Sequence, residues 1–156
     1  MTKARVLVTG GAGFIGAQVV DALASHPGVD RVVSVDIRPG ADRSGVSCRT
    51  VDVRDPALAA IVADEGIDRV VHLAAVVSPQ PDQTREFLYS VDVEGTQNVL
   101  RACREGGVDH LTVTSSGAAY GYYPDNPEWL DEESPLRGNP EFAYSDHKRI
   151  IEEMLA

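Results

Sequence analysis

The chain has 156 residues, 43% of them hydrophobic, which is enough for one domain with a real core and too little for two ordinary ones. Twenty-four acidic side chains against fourteen basic ones leave a formal charge of −10, and no cluster of Lys and Arg could follow a phosphate backbone, so nucleic acid is excluded as a partner. The longest apolar run, VVHLAAVV, is far below the roughly 20 residues that cross a bilayer, glycines interrupt the N-terminal apolar stretch where a signal peptide would continue, and Cys48 and Cys103 lack metal-ligand spacing. The expected setting is a reducing cytoplasm, with no membrane and no metal.

Short Val-rich runs alternate with amphipathic segments. In chain order they are a strand at ARVLVT, a helix from Phe14 to Ser25, a strand at RVVSVD, a loop, a strand at SCRTVD and a helix from Pro56 to Glu65. A strand at RVVHLA, a long helical segment ending near Glu105, a strand at HLTVTS, a loop and a final helix complete the series. Strand and helix in turn predict a parallel sheet covered on both faces. Asp55 before Pro56 and Asn139 before Pro140 each place a capping side chain ahead of a proline at the first helical position. Gly66, the HPG segment and the glycines at 106 and 107 close helices. The irregular stretch from Gly117 to Gly138 carries Tyr120, Tyr122, Tyr123, Trp129, Pro124, Pro127 and Pro135, and a loop of that length in a compact domain is usually functional.

VLVTGGAGFIG sets Gly10, Gly13 and Gly16 at three-residue intervals, and Gly11, Gly13 and Gly16 also satisfy G-x-G-x-x-G. The motif follows a strand and opens a helix, the context in which a pyrophosphate approaches bare backbone and faces a helix N-terminus. Asp36 ends the second strand twenty residues after Gly16, where a carboxylate accepts hydrogen bonds from ribose hydroxyls and repels a 2′-phosphate. That favours NAD over NADP, with Arg38 the opposing feature because a guanidinium could hold the phosphate.

Tyr144 and Lys148 stand four residues apart and share one face of the final helix. A tyrosine hydroxyl, ordinarily titrating near pH 10, is a poor base at neutral pH, and a neighbouring ammonium favours its phenolate. The bland alternative is an amphipathic helix with a half-buried tyrosine and a solvated lysine. TVTSSGAAYG changes the balance, because it ends a strand in Thr114, Ser115 and Ser116 at the carboxyl edge of the sheet, where open α/β sheets bind ligands. A hydroxyl there can hold the reacting oxygen of a substrate while Tyr144 moves its proton. A capping or turn role is the other reading of the serines, Ser115 above all.

With these residues the chain resembles the extended short-chain dehydrogenases/reductases, the NAD-dependent epimerases/dehydratases. The resemblance rests on TGGAGFIG, Asp36, VDVRD, HLAA, VEGTQNVL, SSGAAYG and YSDHK, in the family's order and near its spacing. It implies a Rossmann-like, doubly wound parallel sheet of strand order 3-2-1-4-5 over residues 1–156, an NAD-binding domain. By position it implies that Gly10, Gly13 and Gly16 cradle the pyrophosphate with Phe14 and Ile15 beside it, and that Asp36 binds the adenosine ribose. Asp52 and Val53 would edge the adenine, Leu73, Ala74 and Ala75 would line the cofactor, and Ser116, Tyr144 and Lys148 would form the catalytic set, Lys148 also bonding the nicotinamide ribose. His72 then reads as part of a cofactor-lining strand.

Two departures from the family are visible. Asp92 stands where the family often has Asn. Ser116, Gly117 and Ala118 occupy the Thr-Asp-Glu positions of the sugar-nucleotide 4,6-dehydratases, and since neither Gly nor Ala transfers a proton, dehydration by that route is not expected. Epimerisation or alcohol oxidation of a small-molecule substrate, a nucleotide sugar first, is the activity implied. A hydroxysteroid- or flavonol-type alcohol dehydrogenase and a non-catalytic dinucleotide-binding module are the alternatives.

Only eight residues follow Lys148, whereas the family continues with further strands and a C-terminal substrate domain, so the expectation is an N-terminal portion of a longer enzyme. Its fifth strand, HLTVTS, should then be an apolar edge in need of cover from a partner or a swapped element, and a stable monomer with that edge bare would refute this. The resemblance implies a homodimer, since the family commonly pairs through the helices that correspond here to roughly Thr84 to Glu105 and from Phe142 onward, where Phe87, Leu88 and Val91 serve either that contact or packing on the sheet.

Overall fold

Five short parallel strands carry the core, because runs such as Val6–Leu7–Val8 and Val32–Val33 bury side chains on both faces at once. The computed structural model describes residues 3–41 and 43–156. The chain sorts into two compact units, one of residues up to 75 with 95–114 and the other of residues 76–94 with 115–156.

The first unit holds the whole sheet: β1 (Ala4–Thr9), β2 (Val29–Asp36), β3 (Val46–Thr50), β4 (Arg69–His72) and β5 (His110–Val113), in the order β3-β2-β1-β4-β5. Every pairing is parallel, with Val8 level with Ser34 on one side and Val71 on the other. This is the expected order, and it leaves β3 and β5 as the outer strands. On one face Val6, Val8 and Val32 pack with Val20 of α1 (Phe14–Ala24). The alternate residues Leu7, Val33 and Val35 are equally buried on the other face, as a period of two requires. α2 (Ala57–Asp64) contributes buried Leu58 and Val62, and Asp55 accepts the Ala57 N–H at 2.8 Å, the capping role its place before Pro56 predicts.

The segment expected as one helix over roughly Thr84 to Glu105 is three consecutive pieces. α3 (Arg85–Tyr89), capped by Thr84, belongs to the second unit together with a π-helical turn over Ser90–Glu94, and α4 (Gly95–Gly106) belongs to the first. Gly107, at φ +68°, stops α4 in the left-handed conformation that glycine tolerates best. Leu88 is buried within the chain, while Phe87 and Val91 are half-buried.

In the second unit a 3₁₀ turn (Gly117–Tyr120) leads through an irregular stretch to α5 (Ala143–Leu155). The helix begins later than the Asn139–Pro140 pair predicts. Asn139 is only 6% exposed, and its Oδ1 accepts the Tyr122 N–H at 2.7 Å while its carbonyl accepts from Phe142 N in a turn. The cap signal in the sequence is used for tertiary bonds instead. Among the described residues no helix is long and apolar enough to cross a membrane.

Candidate active site

In the first unit the glycine loop runs from β1 into α1. Gly10 has φ +71°, and a Cβ there would stand 2.8 Å from the Ala74 backbone N, so only glycine lets the turn lie against the end of β4. Gly16 lets α1 close onto the loop, since a Cβ would overlap the Gly10 carbonyl oxygen. Gly10→Ala is expected to cost about 2–3 kcal/mol, read as a lowered midpoint in thermal or urea unfolding, and an unchanged midpoint would show that the loop relaxes freely. Gly13 is the residue before α1 and supplies no side-chain cap. The first-turn N–H groups of the helix are therefore open to an anion, and the side chains of Phe14 and Ile15 beside them are 87% and 60% exposed. A bare, uncapped N-terminus behind a glycine turn fits a pyrophosphate.

Asp36 is fixed at the end of β2: Oδ2 accepts the Ala12 N–H and Oδ1 the Arg38 N–H, both at 3.0 Å. An ionised carboxylate has about four acceptor sites, so two such bonds leave capacity for ribose hydroxyls. The Arg38 guanidinium is turned back onto the loop, donating to the Ala12 carbonyl at 3.0 Å with Nε 3.5 Å from Asp36, and its charge is thus partly answered within the chain. Asp52 is gripped by Arg54, with Nε to Oδ1 at 2.9 Å and Nη2 to Oδ2 at 2.6 Å, and these hydrogen bonds hold its carboxyl below the usual carboxylate range against the opposing pull of burial. Val53 is buried at 5% exposure, its carbonyl accepting from Asn98 Nδ2 at 2.7 Å.

Leu73, Ala74 and Ala75 follow β4, half-buried. Thr9 Oγ1 accepts the N–H groups of Leu73 and Ala74 at 3.2 and 3.3 Å, which commits its own proton to His72 Nδ1 at 2.6 Å. His72 must then carry hydrogen on Nε2 and donate it to Thr96 Oγ1 at 3.1 Å. At 2% exposure it is a core histidine whose ring nitrogens are both engaged.

The second unit brings Ser116, Tyr144 and Lys148 onto linked elements. Ser116 precedes the 3₁₀ turn, and its Oγ accepts the Ala118 N–H at 3.2 Å. The capping role expected of Ser115 falls to Ser116, and because the oxygen is the acceptor, that bond leaves the hydroxyl proton available to donate. Ser145, fully buried, donates to the Ala118 carbonyl at 2.7 Å, pinning the first turn of α5 to the turn that Ser116 begins. Tyr144 is therefore held by its neighbour. Its ring is half-buried and continues a series of rings, Tyr122 to Phe142 at 6.2 Å and Phe142 to Tyr144 at 6.1 Å between centroids.

Lys148 is not the solvated lysine of the bland alternative. It is 5% exposed, with Nζ 5.8 Å from the Tyr144 ring centroid, inside the range of a cation–π contact. Burial lowers its pKa, while the charges of Asp92 and then Glu152 pull it back up. Asp92, the departure seen in the sequence, is 4% exposed on the π-helical turn, with Oδ1 accepting the Val76 N–H at 2.9 Å and Oδ2 3.3 Å from His147 Nδ1. His147 escaped the sequence reading, although its place immediately before Lys148 was a signal available there.

The family model that matches, described as the NAD dependent epimerase/dehydratase family, covers residues 6–156. Among curated proteins the chain is 38% identical over 120 residues to the L-arabinose 1-dehydrogenase (NAD(P)(+)) of Haloferax volcanii, covering 77% of this chain and 44% of that one. It is 34% identical over 159 residues to the UDP-glucose 4-epimerase of Lactobacillus helveticus, covering 97% and 46%. Among solved structures, uronate dehydrogenase from Agrobacterium tumefaciens superposes with a TM-score of 0.82 at 29% identity, covering 99% of this chain and 55% of that one. The chain thus spans about half the length of the relatives it matches. With the glycine loop, the sheet order and a family match over nearly the whole length in hand, the chain belongs to the NAD-dependent epimerase/dehydratase family.

Proposed function

We propose that this chain serves NAD-dependent hydride transfer at the carbinol carbon of a sugar-type substrate, a nucleotide sugar foremost. The observation that carries the reading is Lys148, an ammonium held almost out of water beside the Tyr144 ring. A buried charge costs several kcal/mol of desolvation, which a merely structural helix would avoid by placing the lysine in solvent. In this reading the Lys148 charge favours the Tyr144 phenolate, Tyr144 takes the proton of the substrate hydroxyl, and Ser116 donates a hydrogen bond to the same oxygen as it becomes a carbonyl. NAD, when bound, supplies the hydride acceptor. On the cofactor side, Gly10, Gly13 and Gly16 with the open first turn of α1 receive the pyrophosphate and Asp36 the adenosine ribose. The exposed faces of Tyr122 and Phe142, 66% and 47% exposed, offer apolar surface of the kind that packs against a ring substrate.

Titrating the 156-residue chain calorimetrically with NAD and separately with NADP tests the cofactor half. Binding of NAD at least about tenfold tighter than NADP, a difference of about 1.4 kcal/mol, is expected from the Asp36 carboxylate. Equal affinities would mean that Arg38 leaves the loop to meet a 2′-phosphate, and absence of binding by either would overturn the reading.

A further inference from the structure

Two features of the buried cluster around Lys148 are unused by this mechanism: the ring of His147 and the π-helical turn that carries Asp92. His147 is 1% exposed, with the Tyr89 ring set against it edge-on at 5.5 Å and 82°. Its Nδ1 lies 3.3 Å from Asp92 Oδ2, and its Nε2 meets no hydrogen-bond partner among the described residues. A buried N–H without an acceptor costs more, and is rarer, than a buried acceptor left bare. The ring proton is therefore on Nδ1, donated to Asp92, and Nε2 is the bare lone pair. Asp92 thus has both oxygens held, Oδ1 by the Val76 N–H and Oδ2 by His147. The turn over Ser90–Glu94 has the wider register of a π-helix, a break that recurs at functional sites in helices, and it is the element that presents this carboxylate.

We infer that His147 is a positioning residue: its Nδ1–H fixes the Asp92 carboxylate whose charge acts on the Lys148 ammonium. This rests on Tyr144 and Lys148 being the catalytic pair. The charged or titratable groups around the cluster are Asp92 from the π-helical turn, Glu152, His147 and Tyr144 from α5, and Tyr89 from α3. Of the two carboxylates, Asp92 is the buried one, and its charge comes ahead of that of Glu152 in opposing the effect of burial on Lys148.

Two substitutions separate the ring nitrogens. Asn places an amide N–H where Nδ1 stands, whereas Gln reaches toward the position of Nε2. Lysine Cε-labelled NMR of the free chain reads the Lys148 titration directly. The midpoint is expected to fall by about half a unit in His147→Gln and to stay at the wild-type value in His147→Asn, with a fall of about one unit in Asp92→Asn, where the charge itself is gone. An unmoved midpoint in His147→Gln, or the same displacement in both histidine variants, would overturn the inference. Nitrogen chemical shifts of the wild-type His147 ring give a second reading that needs no variant to fold: the proton is expected on Nδ1, and a proton on Nε2 refutes the proposal. All of these are read without cofactor or substrate, so a chain that binds no NAD would sink the functional reading while leaving the placement of Asp92 by His147 standing or falling on its own result.

Discussion

Replacing Tyr144 by Phe is expected to lower hydride transfer by about 10²–10⁴-fold, the usual share of a positioned proton-transfer group, while the affinity for NAD changes by less than about twofold. The separation is sharp because phenylalanine keeps everything the tyrosine ring does structurally. It retains the tilted contact with Phe142 and the face that Lys148 Nζ approaches at 5.8 Å, and α5 stays pinned by Ser145, so only the hydroxyl is removed. The glycine loop, meanwhile, is organised by Asp36, Ala12 and Arg38. Absorbance of the reduced cofactor gives the rate, and calorimetry the affinity. A Phe variant turning over within tenfold of the wild type would mean that another group takes the proton and that Tyr144 is a wall of the site.

Replacing Lys148 by Met, of similar length and without charge, is the second large effect. The rate is expected to fall by about 10²–10³-fold, the range seen when one preorganised electrostatic group is deleted. The same change has a signature in stability that needs no substrate. Burial lowers the Lys148 pKa below its ordinary 10.5 in the folded chain. Between that lowered value and 10.5 the unfolded chain holds a proton that the folded chain has released, so stability from this residue rises with pH across the window, and below the window the cost of burying the charge is fully present. Urea unfolding at a series of alkaline pH values should show the rise in the wild type and not in the Met variant. Parallel curves for the two proteins would mean that the ammonium is as well solvated in the folded state as in the unfolded one, which would undo the argument from burial.

The parts legible in the sequence are those that local chemistry determines. A glycine in the left-handed region at Gly10, a Val-rich run of strand length and a carboxylate at the end of β2 follow from backbone sterics and periodicity, and the strand order followed from the resemblance they support. The elements that differed are those decided by distant partners. Asn139 looks like a helix cap until Tyr122 claims its oxygen seventeen positions away, and α5 then starts only at Ala143. The π-helical turn has no signature of its own, since the segment is amphipathic throughout and only Asp92 marks the place. His147 stands beside Lys148 in the sequence, but its partner lies fifty-five positions away, so its neighbourhood could flag it while its pairing with Asp92 could not be read. His72 is the opposite case, a histidine that the resemblance assigned to a cofactor-lining strand and whose two ring nitrogens bond Thr9 and Thr96.

The irregular stretch between Gly121 and Asn139 has both ends fastened. Gly138 N–H donates to the Ala119 carbonyl at 3.0 Å, Tyr122 N–H to Asn139 at 2.7 Å, and inside it Arg137 lies over the Tyr123 ring at 4.0 Å and bonds Asp125 at 3.0 Å. A loop whose ends are already brought together has met most of its closure cost, and doubling its length adds only about 0.6 kcal/mol. The exposed tip around Trp129, which is 83% exposed, is therefore a place where residues can be added or exchanged with little effect on Ser116 or α5. Whatever molecule the tip meets, its sequence can be rewritten on one side of the Asn139 clasp while α5 on the other keeps its registration.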